Sequence, residues 1–225
     1  MLLHTVIVPP DHVLEPVADV VRAAALAAIP ADDLPHRRGF LRRGGGRRDR
    51  TADGSGNDNP PAAEQLQLLP TSVMSLPIAG FGNVTSADAI RLADALQTAA
   101  AGTPGVTVRL AGGTALEFSE DRNVWARLAG DVDGLRSMAR GVTQVVEQHG
   151  FFVDRRRFRP MLCVGSVTAA TTAPFLESVV AALDAFSGEP WVVDQIWLLK
   201  AFYGNDSTDF QVVDRFPLAP VAVTS

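Results

Sequence analysis

The stretch of sequence that decides the fold is Arg159-Pro160-Met161-Leu162-Cys163-Val164-Gly165-Ser166-Val167. It predicts a strand that is introduced by a proline and by a run of arginines, which also includes Arg157. Alternate side chains of a strand share a face, so Met161 and Cys163 point to one side and Leu162 points to the other. Both faces suit apolar packing. We therefore expect a central strand of a sheet that is covered on both sides.

The overall composition is typical of a soluble globular protein. The chain has 225 residues, of which 47% are hydrophobic and 20% are charged, and this length suits one large domain or two packed lobes. No apolar run reaches the roughly 18 residues of a membrane helix, and the first residues predict a strand and not a signal peptide. Cys163 is the only cysteine, which excludes an internal disulfide and a thiolate metal site. We expect a cytoplasmic protein with no membrane contact, metal ion or cofactor.

Residues 31–65 differ in composition from the rest of the chain. Their first part is rich in arginine and glycine, and their second part is rich in Gly, Ser, Asn, Asp and Pro. Such a segment buries too little apolar surface to offset the entropy of ordering, so we predict a long disordered insertion. A solvated loop is the favoured interpretation, because charge runs are usually solvated. The alternative is a segment that contacts nucleic-acid phosphates or a protein partner.

The remaining pattern alternates between strands and helices. Strands are predicted at 2–8, 72–79, 106–110, 115–118, 124–128, 160–167, 192–201 and 210–216. Helices are predicted at about 11–29, 85–101, 131–149 and 172–186. This order predicts an α+β fold whose two similar halves each pack helices against a sheet. A helix that starts at Ser or Thr follows the main strand of each half, which suggests an internal duplication.

Several segments in this order resemble the 2H phosphoesterase superfamily, the group of RNA 2′,3′-cyclic phosphodiesterases and 2′-5′ RNA ligases. The segment 157–164 is similar to the family's approach to its second motif, and the end of the chain, 198–218, is similar to its closing hairpin. The resemblance covers nearly the whole chain outside residues 31–65. It implies a single bilobal domain over 1–225 with pseudo-twofold symmetry. Two antiparallel sheets would line a central cleft, with helices on the outer faces.

The family carries a His-x-Thr/Ser motif on one strand of each lobe, and the second motif of this chain lacks its histidine. The resemblance places Met161 at the histidine position and Cys163 at the threonine position. Methionine cannot transfer protons, and such acid–base help is worth about 10²–10⁴-fold per group. Nearby arginines could lower the pKa of Cys163 and give a thiolate. The favoured interpretation is a small buried hydrophobe, as for most lone cysteines on strands.

The first motif also lacks a histidine, and two registers stay open for it. One register puts Val73 at the histidine and Ser75 at the threonine. The other puts Ser75 at the histidine and Pro77 at the threonine, and it is favoured because Gly82-Asn83-Val84 then matches the family's Gly-x-Val. The registers differ by two residues, so we expect Val73, Ser75 and Pro77 to share one face of a strand.

The candidate phosphate-binding residues are Ser75, Cys163, Arg157 and Arg159. Arginine binds phosphate through paired N–H donors, and the alternative is that these arginines mark a solvated strand edge. The four histidines are His4, His12, His36 and His149, and their spacing fits neither a metal site nor a nucleophile pair. His4 lies on the first strand, where a structural role is expected.

We predict a catalytically inactive 2H-like protein that binds a nucleotide or an RNA phosphodiester in its cleft. One alternative is an enzyme of the cyclic phosphodiesterase or 2′-5′ RNA ligase type that uses atypical groups such as Cys163. The other is a protein-interaction module whose cleft, lined by Met161 and Val73, is apolar. The cleft or the insertion would then receive the protein partner.

Overall fold

The computed structural model describes residues 1–27, 62–118, 120–154, 158–203 and 208–221. In chain order the elements of these ranges are β1 (Leu2–Ile7), α1 (Asp11–Ala27), α2 (Ala62–Gln65), β2 (Leu66–Leu68), β3 (Leu76–Asn83), α3 (Ser86–Ala101), β4 (Val106–Ala115), β5 (Asn123–Gly130), α4 (Val132–Gln148), β6 (Met161–Val167), α5 (Ala173–Ala185), β7 (Trp191–Val193), β8 (Gln195–Tyr203) and β9 (Thr208–Pro217). The predicted insertion of residues 31–65 lies outside the described residues, except for the short helix α2 at its end. Within the described ranges, no helix has the length and apolar character needed to cross a membrane.

The strands form two sheets. Sheet A has the order β3-β1-β8-β9, and sheet B has the order β2-β6-β5-β4-β7. Neighbouring strands in both sheets are antiparallel, which confirms the predicted α+β class with two antiparallel sheets. Sheet A combines the first strands of the chain with the last two. Each lobe therefore contains strands from both halves of the sequence. The prediction that each half of the sequence forms its own sheet is wrong.

Helices cover one face of each sheet. Helices α3 and α4 contact strands of sheet A, and α1 and α5 contact strands of sheet B. In β1, Leu3 and Thr5 are fully buried on the helix side, whereas His4 between them is half-buried on the opposite side. This alternation follows from the two-residue period of a strand. The predicted arrangement, with helices outside and a cleft between the sheets, is confirmed.

The deciding strand of the sequence, β6, lies inside sheet B between β2 and β5. Leu162 and Val164 are completely buried in the core. Met161 and Cys163, on the other face, are only half-buried. The expectation that both faces are covered is wrong, because the face of Met161 and Cys163 is turned toward the space between the two sheets.

Two other predicted strands have different bounds in the structure. The predicted strand 115–118 does not form, because β4 ends at Ala115 and Leu116 has a φ of 53°, which an extended strand does not allow. The predicted strand 192–201 is two strands, β7 in sheet B and β8 in sheet A, which are separated at Asp194. A single residue thus marks the point where the chain passes between lobes.

Both predicted Ser/Thr helix starts are present, and the second has a distant partner. Thr85 caps α3, since its hydroxyl accepts the Asp88 N–H at 3.1 Å. Thr172 caps α5 differently, because its backbone N–H and its hydroxyl donate to Gln65 Oε1 at 3.1 and 3.0 Å. Gln65 is completely buried. The end of the predicted insertion therefore holds the start of α5 in place.

Candidate functional site

A cavity of about 570 Å³ lies between the two sheets, and we call it the central cleft. Sheet A contributes His4 from β1 and Pro77 and Gly80 from β3. Sheet B contributes Trp125 from β5 and Met161 from β6. The volume lies within the range of about 300–1,000 Å³ that is usual for small-molecule sites. The cleft is therefore large enough for a nucleotide-sized ligand.

Arg159 lines the central cleft from the segment that leads into β6. Its guanidinium carbon lies 3.3 Å from the centre of the Phe118 ring. The Phe118 ring meets the Trp125 ring edge to face at a centroid distance of 6.4 Å, and Trp125 Nε1 donates to Asp121 Oδ2 at 2.7 Å. Stacking uses the flat face of a guanidinium, whereas its N–H groups point outward in the plane. This arrangement suits the capture of an anion.

His4 and Asp154 also line the central cleft, and the sequence patterns did not single out either as functional. The sequence predicts a structural role for His4, and no sequence pattern points to Asp154. The exposure of His4 toward the cleft could have been predicted from the sequence, because a polar residue next to the apolar Leu3 on a strand points to the opposite face. The position of Asp154 could not have been predicted in this way, because Asp154 follows α4 in a segment without regular structure.

Comparisons with known proteins place this geometry in a fold family. No family model matches the sequence, and no curated protein matches it. Solved structures, however, match over almost the whole chain. TT0787 of Thermus thermophilus has a TM-score of 0.61 at 15% identity, covering 98% of this chain and 99% of that one. E. coli LigT complexed with 3′-AMP has a TM-score of 0.59 at 15% identity, covering 96% and 97%. The chain has the 2H phosphoesterase fold.

A further match to the 2H fold comes from Usb1 of Kluyveromyces marxianus. Its TM-score is 0.52 at 11% identity, with 96% of this chain and 98% of that chain covered. E. coli LigT has also been solved with NADP⁺, with phosphate and with ATP. The fold that the sequence resemblance implied is thus confirmed. The identity is too low for the comparison to transfer the function.

The two residues that the sequence resemblance assigned to a second motif, Met161 and Cys163, lie on one face of β6. Met161 lines the cleft, and Cys163 lies opposite Trp125 of the neighbouring strand β5. The Cys163 thiol donates to the Gly165 carbonyl oxygen at 3.6 Å. Burial, together with the weaker effect of the negative charge of Asp121, raises the pKa of Cys163 to about 11. The pKa is thus raised and not lowered as the thiolate alternative requires, because removing the thiol from water has the largest effect.

Of the three residues that the sequence resemblance proposed for a first motif, only Pro77 lines the central cleft. Pro77 is exposed on β3 and lines the cleft. Val73 lies in the 3₁₀ turn Thr71–Val73, and Ser75 precedes β3 without lining the cleft. The expectation that all three share one face is wrong, because strand alternation begins only at Leu76.

Two further points concern the predicted ligands of the site. Arg157 lies outside the described residues, so of the two candidate arginines only Arg159 has a described position. Among the residues that the structure describes, no cluster of three or more His, Cys, Asp or Glu side chains is arranged to hold a metal ion.

Proposed function

We propose that the central cleft binds a nucleotide or the phosphodiester of an RNA end, without the two-histidine catalysis of the 2H family. The observation that carries this proposal is the position of Arg159 and Trp125 at the cavity between the sheets, where the Arg159 guanidinium lies over the Phe118 ring and that ring meets Trp125 edge to face. A guanidinium binds phosphate oxygens through charge-assisted hydrogen bonds. An aromatic ring in the same cavity can stack on a base, which is worth about 1–3 kcal/mol.

The absence of catalysis is proposed from the residues at the two motif strands. Met161 and Pro77 line the cleft, and neither side chain can accept or release a proton. Cys163 retains its proton near neutral pH, because its pKa is raised to about 11. The alternative of an enzyme that uses a Cys163 thiolate therefore has little support. The loss of an acid and a base would each reduce the rate by about 10²–10⁴-fold.

The alternative of an apolar cleft for a protein partner is not favoured either. His4, Asp154 and Arg159 all line the central cleft. Burying such groups against an apolar ligand leaves them without solvation, which costs free energy. A small anionic ligand supplies hydrogen-bond acceptors for the Arg159 guanidinium instead.

A titration with 3′-AMP tests the proposal, and the choice of this nucleotide follows from its complex with E. coli LigT. We expect saturable binding by the wild-type chain. Arg159→Ala should weaken it by at least about tenfold, since a hydrogen bond to a charged group is worth about 1.5–3 kcal/mol. Arg136→Ala is the matched control, because Arg136 pairs with Asp133 on α4 and does not line the cleft.

Calorimetry gives the Kd for each variant, and the control should bind like the wild type. The proposal fails if the wild type shows no saturable binding at millimolar 3′-AMP. It fails equally if Arg159→Ala and Arg136→Ala bind with the same affinity.

A further inference from the structure

The carboxylate of Asp121 binds Trp125, one of the residues that line the central cleft. Asp121 is half-buried in the segment that joins β4 to β5. Its Oδ2 accepts a hydrogen bond from Trp125 Nε1 at 2.7 Å. Its Oδ1 accepts two from Asn123, at 3.0 Å from the backbone N–H and at 2.9 Å from the side-chain amide. These hydrogen bonds join the indole to the start of β5.

Asp121 is itself held in place by the chain around it. Its N–H donates to the Phe118 carbonyl oxygen at 3.0 Å, and the Leu116 N–H donates to the Asn123 carbonyl oxygen at 3.1 Å. Ser166 of β6 donates from Oγ to Asn123 Oδ1 at 2.8 Å. The two ends of the segment are thus bound to each other and to the neighbouring strand. The carboxylate therefore has a fixed position from which it holds the indole.

The Trp125 ring is restrained at two points. Asp121 binds its N–H, and the Phe118 ring meets it edge to face at a centroid distance of 6.4 Å. A tryptophan side chain has one polar group, a donor, and Asp121 already accepts from it. The indole therefore offers a ligand its ring and no hydrogen bond. A side chain that is ordered before binding loses less conformational entropy when the ligand arrives.

We propose that Asp121 is a positioning residue of the central cleft, which fixes the Trp125 indole in the orientation that stacks on a nucleotide base. This inference rests on the proposed function and adds to it the residue that prepares the subsite for the base. Asp121 acts through Trp125 and does not touch the ligand. The phosphate is bound separately, by Arg159. Asp121 thus raises the affinity for the base and not the affinity for the phosphate.

Two ligands separate these effects, because 3′-AMP has a base and inorganic phosphate has none. The measured quantity is the ratio of the Kd for inorganic phosphate to the Kd for 3′-AMP, each determined by calorimetry. Both ligands are phosphate anions, so the loss of the carboxylate charge affects both and largely cancels in the ratio. Trp125→Ala should lower the wild-type ratio at least about fivefold, through the loss of one stacked base. Asp121→Ala should lower it about threefold, as expected for a side chain that binding must now order.

A double variant shows whether Asp121 acts through the indole. Asp121→Ala should leave the ratio of the Trp125→Ala chain unchanged within about twofold, because the ring that it positions is gone. Asp133→Ala is the matched control, since Asp133 pairs with Arg136 on α4, does not line the cleft and should keep the wild-type ratio. Thermal melting shows which variants are folded. Asp121→Asn, which keeps the shape of the side chain but has one acceptor oxygen in place of two, decides the matter if Asp121→Ala is unfolded.

The role of Asp121 is overturned if its folded variants keep the wild-type ratio, whether or not Trp125→Ala lowers it. It is overturned equally if Asp121→Ala lowers the ratio as much in the Trp125→Ala chain as in the wild type. The proposed function survives both results. If the wild type shows no saturable binding of 3′-AMP, both proposals are overturned.

Discussion

Cys163 illustrates how burial decides the chemistry of a single side chain. It stands opposite Trp125 on the cleft side of β6, yet its thiol is largely removed from water and its pKa is raised to about 11. Because the pKa is raised from 9.0 to about 11, the folded chain keeps this proton between these two pH values, whereas the unfolded chain releases it. The stabilising contribution of the neutral thiol is therefore complete below about pH 9 and is lost as the pH rises toward 11.

We predict that Cys163 is unreactive in the folded chain near neutral pH. At about pH 8, a pKa of about 11 leaves roughly 0.1% of the thiol as the reactive thiolate. A disulfide reagent with a coloured leaving group should label the native chain much more slowly than the chain in denaturant. Labelling of the native chain at the rate of the denatured chain would contradict the assigned burial and would revive the thiolate alternative.

The residues of the cleft were predictable to different degrees. Met161 and Cys163 follow from the alternation of β6, which is a local pattern, and Arg159 follows from its place beside that strand. His4 and Asp154 line the same cavity only because β1 pairs with β3 and because the Asp154 N–H donates to the Gly80 carbonyl oxygen. Such pairings join segments that are far apart in the sequence. No local pattern contains them.

At the scale of elements, β4 and α5 make a close contact that depends on glycine. A methyl group built on Gly113 would overlap Leu183 Cβ, well inside normal contact distance. The Gly113 N–H also donates to Asp184 Oδ1 at 2.9 Å, so the strand and the helix are joined at this point. The bulge in β4 between Leu110 and Gly113 lies just before the contact.

We predict that Gly113→Ala lowers the free energy of unfolding by about 1–3 kcal/mol, the usual cost of overpacking a core. Gly141→Ala is the matched control, because a methyl group at Gly141 in α4 meets nothing within 4 Å. Alanine in a helix should raise stability there by about 0.5–1 kcal/mol. Urea unfolding measures both changes. Equal stability of Gly113→Ala and the wild type would refute the close contact.

The elements themselves were mostly predictable, and the failures have physical causes. Thr85 and Thr172 predict the starts of α3 and α5, because threonine is favoured at the N-cap of a helix. The start of β3 was predicted too early, at residue 72 and not at Leu76, because Thr71–Val73 form a 3₁₀ turn although their neighbours are typical of a strand. The division of the predicted strand 192–201 into β7 and β8 was not predicted, because the apolar residues on both sides of Asp194 look like parts of one strand.

At the scale of the whole molecule, the central cleft forms because early and late segments of the chain combine in each of the two sheets. β1 and β3 form one wall, and β5 and β6 form the other, while the last two strands return to complete sheet A. Neither half of the sequence contains the whole site. The chain thus has the 2H fold, and Pro77 and Met161 line the cleft at positions where the resemblance places motif residues.

The most direct test of the proposed site is a crystal structure of the chain with adenosine 2′,3′-cyclic phosphate. We predict an intact cyclic phosphate in the central cleft, with its phosphate oxygens within hydrogen-bonding distance of Arg159 and its base beside Trp125. A ring-opened product in the cleft would contradict the absence of catalysis. A nucleotide bound elsewhere, with the cleft empty at saturating concentration, would contradict the proposed site itself.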